Sequence, residues 1–282
     1  MKRRIIVILL MLCLLSGCAG GSRAAQVDIL ATTAPVAHIA GAVTAGSGLT
    51  VGTLISEPVS CLHDYALSVA QMEAVEQAKL VICSGAGLED FMGDALAGCE
   101  TVIEASAGLA LLPGEEGEAD PHVWLAPENM IAMTRTVETA LAGLYPAQAA
   151  LFAENADVLC RQLEELQTYG EEQLAGLRCR KLVTFHDGFA YFAHAFGLEI
   201  AASMEIEAGS EPSARELEEI IRLIREQDIP AVFTEINGTA DAAELVARET
   251  GCAVFSLDTA ISTTNYLSAM RRNIDTIKEA LG

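Results

Sequence analysis

Four side chains that bind metals fall at equivalent positions in the predicted fold. His63 and His186 follow predicted strands, His122 lies in the loop after a fourth predicted strand, and Asp258 comes directly after the last strand. In open parallel sheets, the carboxyl ends of the strands meet at one edge, and ligands bind there. Imidazole nitrogens and a carboxylate oxygen bind zinc at about 2.0–2.2 Å in tetrahedral sites. The sequence therefore predicts a zinc site made by these four residues.

A fifth residue, Glu235, occupies the same kind of position on a neighbouring predicted strand. It is a reserve fourth ligand, or a carboxylate that accepts the second ring N–H of a metal-bound imidazole. Asp258 has an ordinary alternative, because an aspartate after a strand is often a turn or N-cap residue. His38 and His194 lie within predicted helices, and for them we keep the interpretation of ordinary hydrogen-bonded residues.

A zinc hydrolase is the alternative from another functional class. Catalytic zinc keeps one position open for water and has a nearby general base, for which Glu235 is the candidate. The chain has no HExxH pair, and four protein ligands would close the coordination shell, so we predict no enzyme activity. No cysteine pair has CxxC spacing, which argues against a thiolate cluster. The cysteines after Cys18 are Cys61, Cys83, Cys99, Cys160, Cys179 and Cys252.

The elements that must position these residues alternate between strands and helices. This order predicts an α/β fold with two lobes, 26–145 and 179–282, each with a mostly parallel four-stranded sheet flanked by helices. Leucines at helical spacing and the lack of proline predict one long connecting helix over residues 146–178. A single rigid connector predicts limited closure of the lobes, with loop movement opening the site.

The first residues predict export. A basic start and a short apolar run make residues 1–17 a signal peptide, and Leu15-Ser16-Gly17-Cys18 resembles the bacterial lipobox. We expect Cys18 to be lipidated, residues 18–25 to be the anchor and tether, and the protein to lie at the outer face of the cell membrane. The chain carries a net charge of −22, and the leader holds three basic residues and no acidic one. This acidity argues against nucleic acid as a partner.

Taken together, several motifs resemble the zinc/manganese solute-binding lipoproteins of ABC importers, of the metal-binding cluster A-I type, over essentially the whole mature chain. The resemblance implies two α/β lobes joined by one long helix. It also implies a metal held at their interface by the residues matching His63, His122, His186 and Asp258. A monomeric receptor that delivers metal to a permease is the expected function. The motifs are the lipobox, Gly85-Ala86-Gly87-Leu88-Glu89, Asp120-Pro121-His122-Val123-Trp124-Leu125, Thr184-Phe185-His186-Asp187-Gly188-Phe189-Ala190-Tyr191-Phe192, Glu211-Pro212-Ser213, Glu249-Thr250-Gly251 and Leu257-Asp258.

The choice of metal depends on departures from that family. The loop before His122 is acidic instead of histidine-rich, which leaves zinc and manganese less separated. Manganese-preferring relatives tend to have glutamate at the place of His186. A third imidazole favours zinc by ligand type and by the Irving–Williams order. We therefore expect Zn²⁺, with Mn²⁺ as the alternative. A surface adhesin in which the metal is structural is a further alternative.

Overall fold

The computed structural model describes residues 27–59, 62, 65–114, 117–204 and 213–282. Strands and helices alternate, and the predicted fold of two α/β lobes joined by a long helix is confirmed. The first lobe contains β1 (Ile29–Ala31), α1 (Ala34–Val43), β2 (Val51–Thr53), α2 (Val69–Gln77), β3 (Leu80–Cys83), α3 (Asp94–Ala97), β4 (Thr101–Glu104) and α4 (Pro127–Leu144). After α5 (Ala149–Leu174) come β5 (Lys181–Thr184), α6 (Ala190–Phe196), β6 (Glu199–Ser203), α7 (Ala214–Gln227), β7 (Ala231–Glu235), α8 (Asp241–Thr250), β8 (Ala253–Leu257) and α9 (Tyr266–Leu281).

Each lobe has a four-stranded sheet, and the strand pairings of the described residues are parallel throughout. The orders are β2-β1-β3-β4 and β6-β5-β7-β8. In both sheets the order reverses between the two central strands, so the loops that follow these strands run in opposite directions. A crevice opens at that point, beyond the carboxyl ends of the strands. The second sheet therefore presents the residues after β5 and at the end of β7 on the two sides of one crevice.

Local sequence signals account for several helix ends. Pro127 is the first residue of α4, where its missing N–H would have had no helical partner. Ser213 caps α7 through a capping box, in which its side chain accepts from the Glu216 amide while the Glu216 side chain accepts from Ser213. Asn265 caps α9 by accepting from the amide of Ser268. These three ends therefore follow from residues within one helical turn.

The connecting helix α5 is shorter than the prediction. A 3-10 turn at Pro146–Gln148 precedes it, and it ends at Leu174 rather than at residue 178. Its 26 residues extend over roughly 39 Å at 1.5 Å each. It packs against α1 and α4 of the first lobe and against α6 and α9 of the second. Gly170 is buried where α6 crosses, and a Cβ there would lie 2.2 Å from Cε1 of Phe196.

The main hydrophobic core is one cluster that runs through both lobes. It joins Ile29 and Val81 of the first sheet to Leu163 of α5 and Ile277 of α9. A second cluster, around Val232, fills the space between the second sheet and helices α7 and α8. Within the described ranges, no helix has both the length and the apolar character needed to cross a membrane.

Candidate metal centre

His122 is held in a fixed orientation by Asp120. It precedes a 3-10 turn at Val123–Leu125, well past the end of β4, because residues 105–121 intervene. One Asp120 carboxylate oxygen accepts from the His122 amide at 2.9 Å and lies 2.8 Å from its ring Nδ1. Both residues are buried. A neutral imidazole that donates from Nδ1 to this carboxylate has its lone pair on Nε2, the nitrogen that binds a metal ion.

His186 follows β5 in the second lobe, as predicted, and meets His122 directly. Its Nε2 lies 3.3 Å from Nε2 of His122, with the two rings at 87° to each other. Gly188 lies against both rings. A Cβ at this position would be 2.7 Å from Cδ2 of His186 and 3.1 Å from Cδ2 of His122. The missing side chain at residue 188 therefore leaves the space in which the two imidazoles face each other.

Glu235 is the last residue of β7 and lies beside His186. Its Oε1 is 3.4 Å from the His186 Nε2, and both side chains are buried. This position follows from the sheet order, because β5 and β7 are neighbours on the two sides of the crevice. An ionised carboxylate here would place negative charge next to the His186 imidazole, which favours a cation at this position.

Asp258 lies at the same edge of the sheet, one residue past Leu257, which pairs with Glu235. Its Oδ1 accepts from the Ala260 amide at 2.8 Å, and its Oδ2 lies 3.2 Å from a guanidinium nitrogen of Arg272. In the part of the chain that the structure describes, no hydrogen bond or ion pair joins Asp258 to His122 or His186. The structure thus brings Asp258 to the right edge but pairs its carboxylate with other groups.

His63 lies outside the described residues, as do Cys18, Cys61 and the predicted leader. Among the residues that are described, no three His, Cys, Asp or Glu side chains are arranged to hold a metal ion. Hydrogen bonds join residues that precede His63 in the sequence to residues that follow it. The Tyr65 hydroxyl donates to Glu57, and Gln71 donates to both of them and to the carbonyl of Leu54 at 3.1 Å. The Tyr65 hydrogen bond holds the pKa of Glu57 below its usual value.

The other two histidines lie away from this pair. His38 of α1 is half-buried, with its ring centroid 5.9 Å from that of Tyr266. Burial lowers the pKa of His38. His194 of α6 has 67% of its side chain exposed, and its Nδ1 lies 3.9 Å from Glu128.

Sequence reasoning missed two residues that contact predicted ligands. Asp120 orients His122, and its signal was present as an aspartate two positions before a histidine in a tight turn. Asn273 of α9 contacts the backbone of Asp258 through both of its amide atoms. Nothing in the local sequence around Asn273 indicates this contact, because it depends on how α9 packs against β8.

A model of a protein family matches residues 29–280, nearly all of the described chain, and is described as ZnuA, zinc-uptake complex component A, periplasmic. The chain belongs to the ZnuA family. Membership agrees with the resemblance stated from the motifs. As a member of this family, the protein is a metal-binding receptor of an ABC-type metal importer.

Curated relatives of this ZnuA-family chain differ in the metal for which they are named. The zinc-binding protein TroA of Treponema pallidum is 29% identical over 239 residues, covering 78% of each chain. The manganese-binding lipoprotein MntA of Bacillus subtilis is also 29% identical, over 292 residues and 95% of each chain. A crystal structure of ZnuA matches with a TM-score of 0.82 and 26% identity, covering 91% of this chain and all of that one. Family membership therefore leaves the choice between zinc and manganese open.

Proposed function

We propose that this protein captures Zn²⁺ outside the cytoplasm and delivers it to the permease of an ABC importer. The ligands in this proposal are His63 and His122 from the first lobe and His186 and Asp258 from the second. Glu235 is the reserve ligand, or the carboxylate that compensates the charge of the ion. Binding is by coordination, with no chemical reaction.

The observation that carries this proposal is the separation of the His122 and His186 Nε2 atoms, which is 3.3 Å. Two nitrogens that each bind one tetrahedral zinc at about 2.0–2.1 Å would lie roughly 3.3–3.4 Å apart. The Nδ1 of His122 is engaged by Asp120, so its Nε2 lone pair faces the other ring. Both imidazoles are buried, and they come from different lobes. An ion between them would link the lobes.

The ligand types support zinc over manganese. Imidazole nitrogen suits zinc, whereas manganese prefers oxygen ligands such as carboxylates and water. The two facing atoms of the His122–His186 pair are both imidazole nitrogens, and the proposed ligand His63 adds a third imidazole. Three neutral imidazoles and one carboxylate leave a dication with a net charge of +1, and Glu235 lies close enough to reduce it further. Manganese remains the alternative, because MntA covers as much of the chain as any relative described above.

Capture also requires a location outside the cytoplasm. The lipobox-like Leu15-Ser16-Gly17-Cys18 supports lipidation of Cys18 after removal of residues 1–17. A lipid at Cys18 would hold the receptor at the outer face of the membrane next to its permease. Residues 18–25 would then be a short tether to the folded lobes.

Metal analysis of protein purified without chelator tests the proposal. We expect about one equivalent of zinc per chain, and a Zn²⁺ affinity well above the Mn²⁺ affinity when apo-protein is titrated with each ion. The His122→Ala variant should bind zinc at least ~100-fold more weakly. His194→Ala is the matched control, since the His194 side chain is 67% exposed and its Nδ1 lies 3.9 Å from Glu128. Preferential manganese binding would replace zinc in the proposal. Wild-type zinc affinity in His122→Ala would overturn the site.

A further inference from the structure

The side chain of Asn273 makes two hydrogen bonds to the backbone of one residue, Asp258. Its Oδ1 accepts from the amide of Asp258 at 2.8 Å, and its Nδ2 donates to the carbonyl of Asp258 at 2.7 Å. Asn273 lies in the interior of α9 and is only 1% exposed. Turning the amide over would set donor against donor and acceptor against acceptor, so this orientation is the only one that satisfies all four groups.

The position of β8 explains why this contact is needed. β8 is the last strand in the order β6-β5-β7-β8, so it has β7 on one side only. The carbonyl of Leu257 points to the β7 side, where it accepts a hydrogen bond from the Ile236 amide at 3.0 Å. The peptide groups of successive strand residues point to opposite sides, so those of Asp258 point away from β7. Asn273 meets them there, as the peptide of a further strand would.

The turn that follows Asp258 is fixed by two more contacts. The Asp258 Oδ1 accepts from the Ala260 amide, and Ala260 adopts a positive φ of 60°. The carbonyl of Thr259 accepts from Nε1 of Trp124 at 2.7 Å. Trp124 is two residues past His122, so the Asp258 turn is attached to the segment that carries the first imidazole. A backbone held at these points gives the Asp258 carboxylate a small range of positions.

We propose that Asn273 is a positioning residue for the metal site, which holds the backbone of Asp258 so that its carboxylate can reach an ion bound by His122 and His186. This inference rests on the proposed function. It assigns Asn273 no contact with the ion. Loss of the amide releases both peptide groups of Asp258 and lets the carboxylate move with Arg272, whose guanidinium lies 3.2 Å away and is largely exposed.

The test compares Asn273→Ala with a matched control, Ile277→Ala, in the same helix. Ile277 is fully buried in the core and makes none of the contacts to Asp258 described above, so its truncation measures the cost of a cavity alone. Zinc affinity is measured by competition with a chromogenic chelator, and the thermal stability of each apo-protein is measured in parallel. We expect Asn273→Ala to weaken zinc binding about 10- to 100-fold. Ile277→Ala should stay within about twofold of wild type, although it also loses stability.

Two further readouts separate positioning from general damage. In the Asp258→Ala background, Asn273→Ala should change zinc affinity by no more than about twofold, because the residue through which it acts is gone. Co²⁺ in place of Zn²⁺ should give an altered visible absorption spectrum in Asn273→Ala but the wild-type spectrum in Ile277→Ala. If Asn273→Ala does not fold, Asn273→Asp keeps the acceptor for the Asp258 amide but sets its second oxygen against the Asp258 carbonyl, and should show a loss of about the same size.

Three results would overturn the inference while leaving intact the proposal that His122 and His186 bind zinc. They are wild-type zinc affinity in folded Asn273→Ala or Asn273→Asp, an equal loss in the presence and absence of Asp258, and wild-type affinity in Asp258→Ala. Failure of the proposed function looks different, because the wild-type protein would then bind no zinc or His122→Ala would bind it normally.

Discussion

His122 and His186 come from two different four-stranded sheets, yet their Nε2 atoms lie 3.3 Å apart. The contact depends on three local features: Asp120 orients one ring, the end of β5 presents the other, and Gly188 leaves room for both. A pair of buried imidazoles with facing ring nitrogens is costly unless a proton or a metal ion lies between them.

Exchange of one imidazole for a carboxylate should shift the metal preference. In His186→Glu, the ratio of Zn²⁺ to Mn²⁺ affinity should fall at least ~10-fold, because oxygen ligands suit manganese and imidazole suits zinc. Titration of apo-protein with each ion by calorimetry measures this ratio. The matched change His194→Glu adds the same carboxylate at an exposed position and should leave the ratio unchanged. An unchanged ratio in His186→Glu would remove His186 from the ligand set.

Asp120 should matter for affinity without touching the ion. Asp120→Ala removes the acceptor for Nδ1 of His122 and frees the ring to rotate, so zinc affinity should drop about 10- to 100-fold. Chelator competition measures the loss. Asp157→Ala, which removes a partly exposed ion pair with Arg135, is the control and should bind zinc normally. Equal affinities in the two variants would mean that the Asp120 contact does not orient the ring.

The hydrogen bond between Trp124 and Thr259 should stabilise the junction of the lobes. Trp124→Phe removes the donor and leaves the carbonyl of the buried Thr259 without it, at a cost of about 1–3 kcal/mol in the free energy of unfolding. Urea denaturation of apo-protein measures this cost. Tyr169→Phe also removes one hydrogen bond, to Asp275, but at an exposed position. It should cost less than about 1 kcal/mol, and a larger loss there than in Trp124→Phe would contradict the prediction.

Two helical glycines should respond to alanine with opposite signs. Gly170→Ala places a Cβ 2.2 Å from a ring carbon of Phe196, so α5 and α6 must move apart, and we expect destabilisation by about 1–3 kcal/mol. Gly143→Ala, near the end of α4, meets no atom within 4 Å. It should stabilise the protein by up to about 1 kcal/mol through helix propensity alone. Thermal unfolding of both variants measures the difference, and a Gly170→Ala protein as stable as wild type or more stable would show that the Phe196 contact is unimportant.

His38 should contribute to a loss of stability in mild acid. Burial lowers its pKa in the folded protein, and its Nε2 has no hydrogen-bond partner among the described residues. As the pH falls through about 6.5, the unfolded chain takes up a proton at this residue before the folded protein does, so folding becomes less favourable.

The melting temperature of the apo-protein should therefore fall less steeply between pH 7.5 and 5.5 in His38→Gln than in wild type, by about 1–2 °C over that interval. The control is His194→Gln, which changes an exposed imidazole and should keep the wild-type slope. Identical slopes in wild type and His38→Gln would show that the buried ring takes up its proton as readily in the folded protein as in the unfolded chain.

Much of the fold was predictable because its signals are local. The helices Pro127–Leu144 and Tyr266–Leu281 and the strand Ala231–Glu235 each begin where a residue of the local sequence marks the start. Pro127 opens the first helix, Asn265 caps the second, and Pro230 precedes the strand. The sequence pattern of residues 27–33 is typical of a strand over its whole length, but the strand that forms is shorter, Ile29–Ala31, because pairing with neighbouring strands decides where a strand ends.

The site was predictable only in outline. The rule that ligands gather at the carboxyl ends of strands identified His186, Glu235 and Asp258 as neighbours of one crevice. It did not indicate that Arg272 would pair with Asp258 or that Trp124 would bond to a carbonyl 135 residues away. Such contacts depend on how whole elements pack, and no periodicity in the sequence records them. The position of His63 stays a prediction.

The hydrophobic core that runs through both lobes limits how a bound metal ion can leave the receptor. Apolar side chains of the first sheet, the second lobe and α5 form a single cluster. A hinge motion that separates the two lobes would therefore expose apolar surface of this cluster to water. Such a motion is costly in proportion to the area exposed. We therefore expect the ion to enter and escape through displacement of short peripheral segments, while the framework beneath them stays closed in both the loaded and the empty receptor.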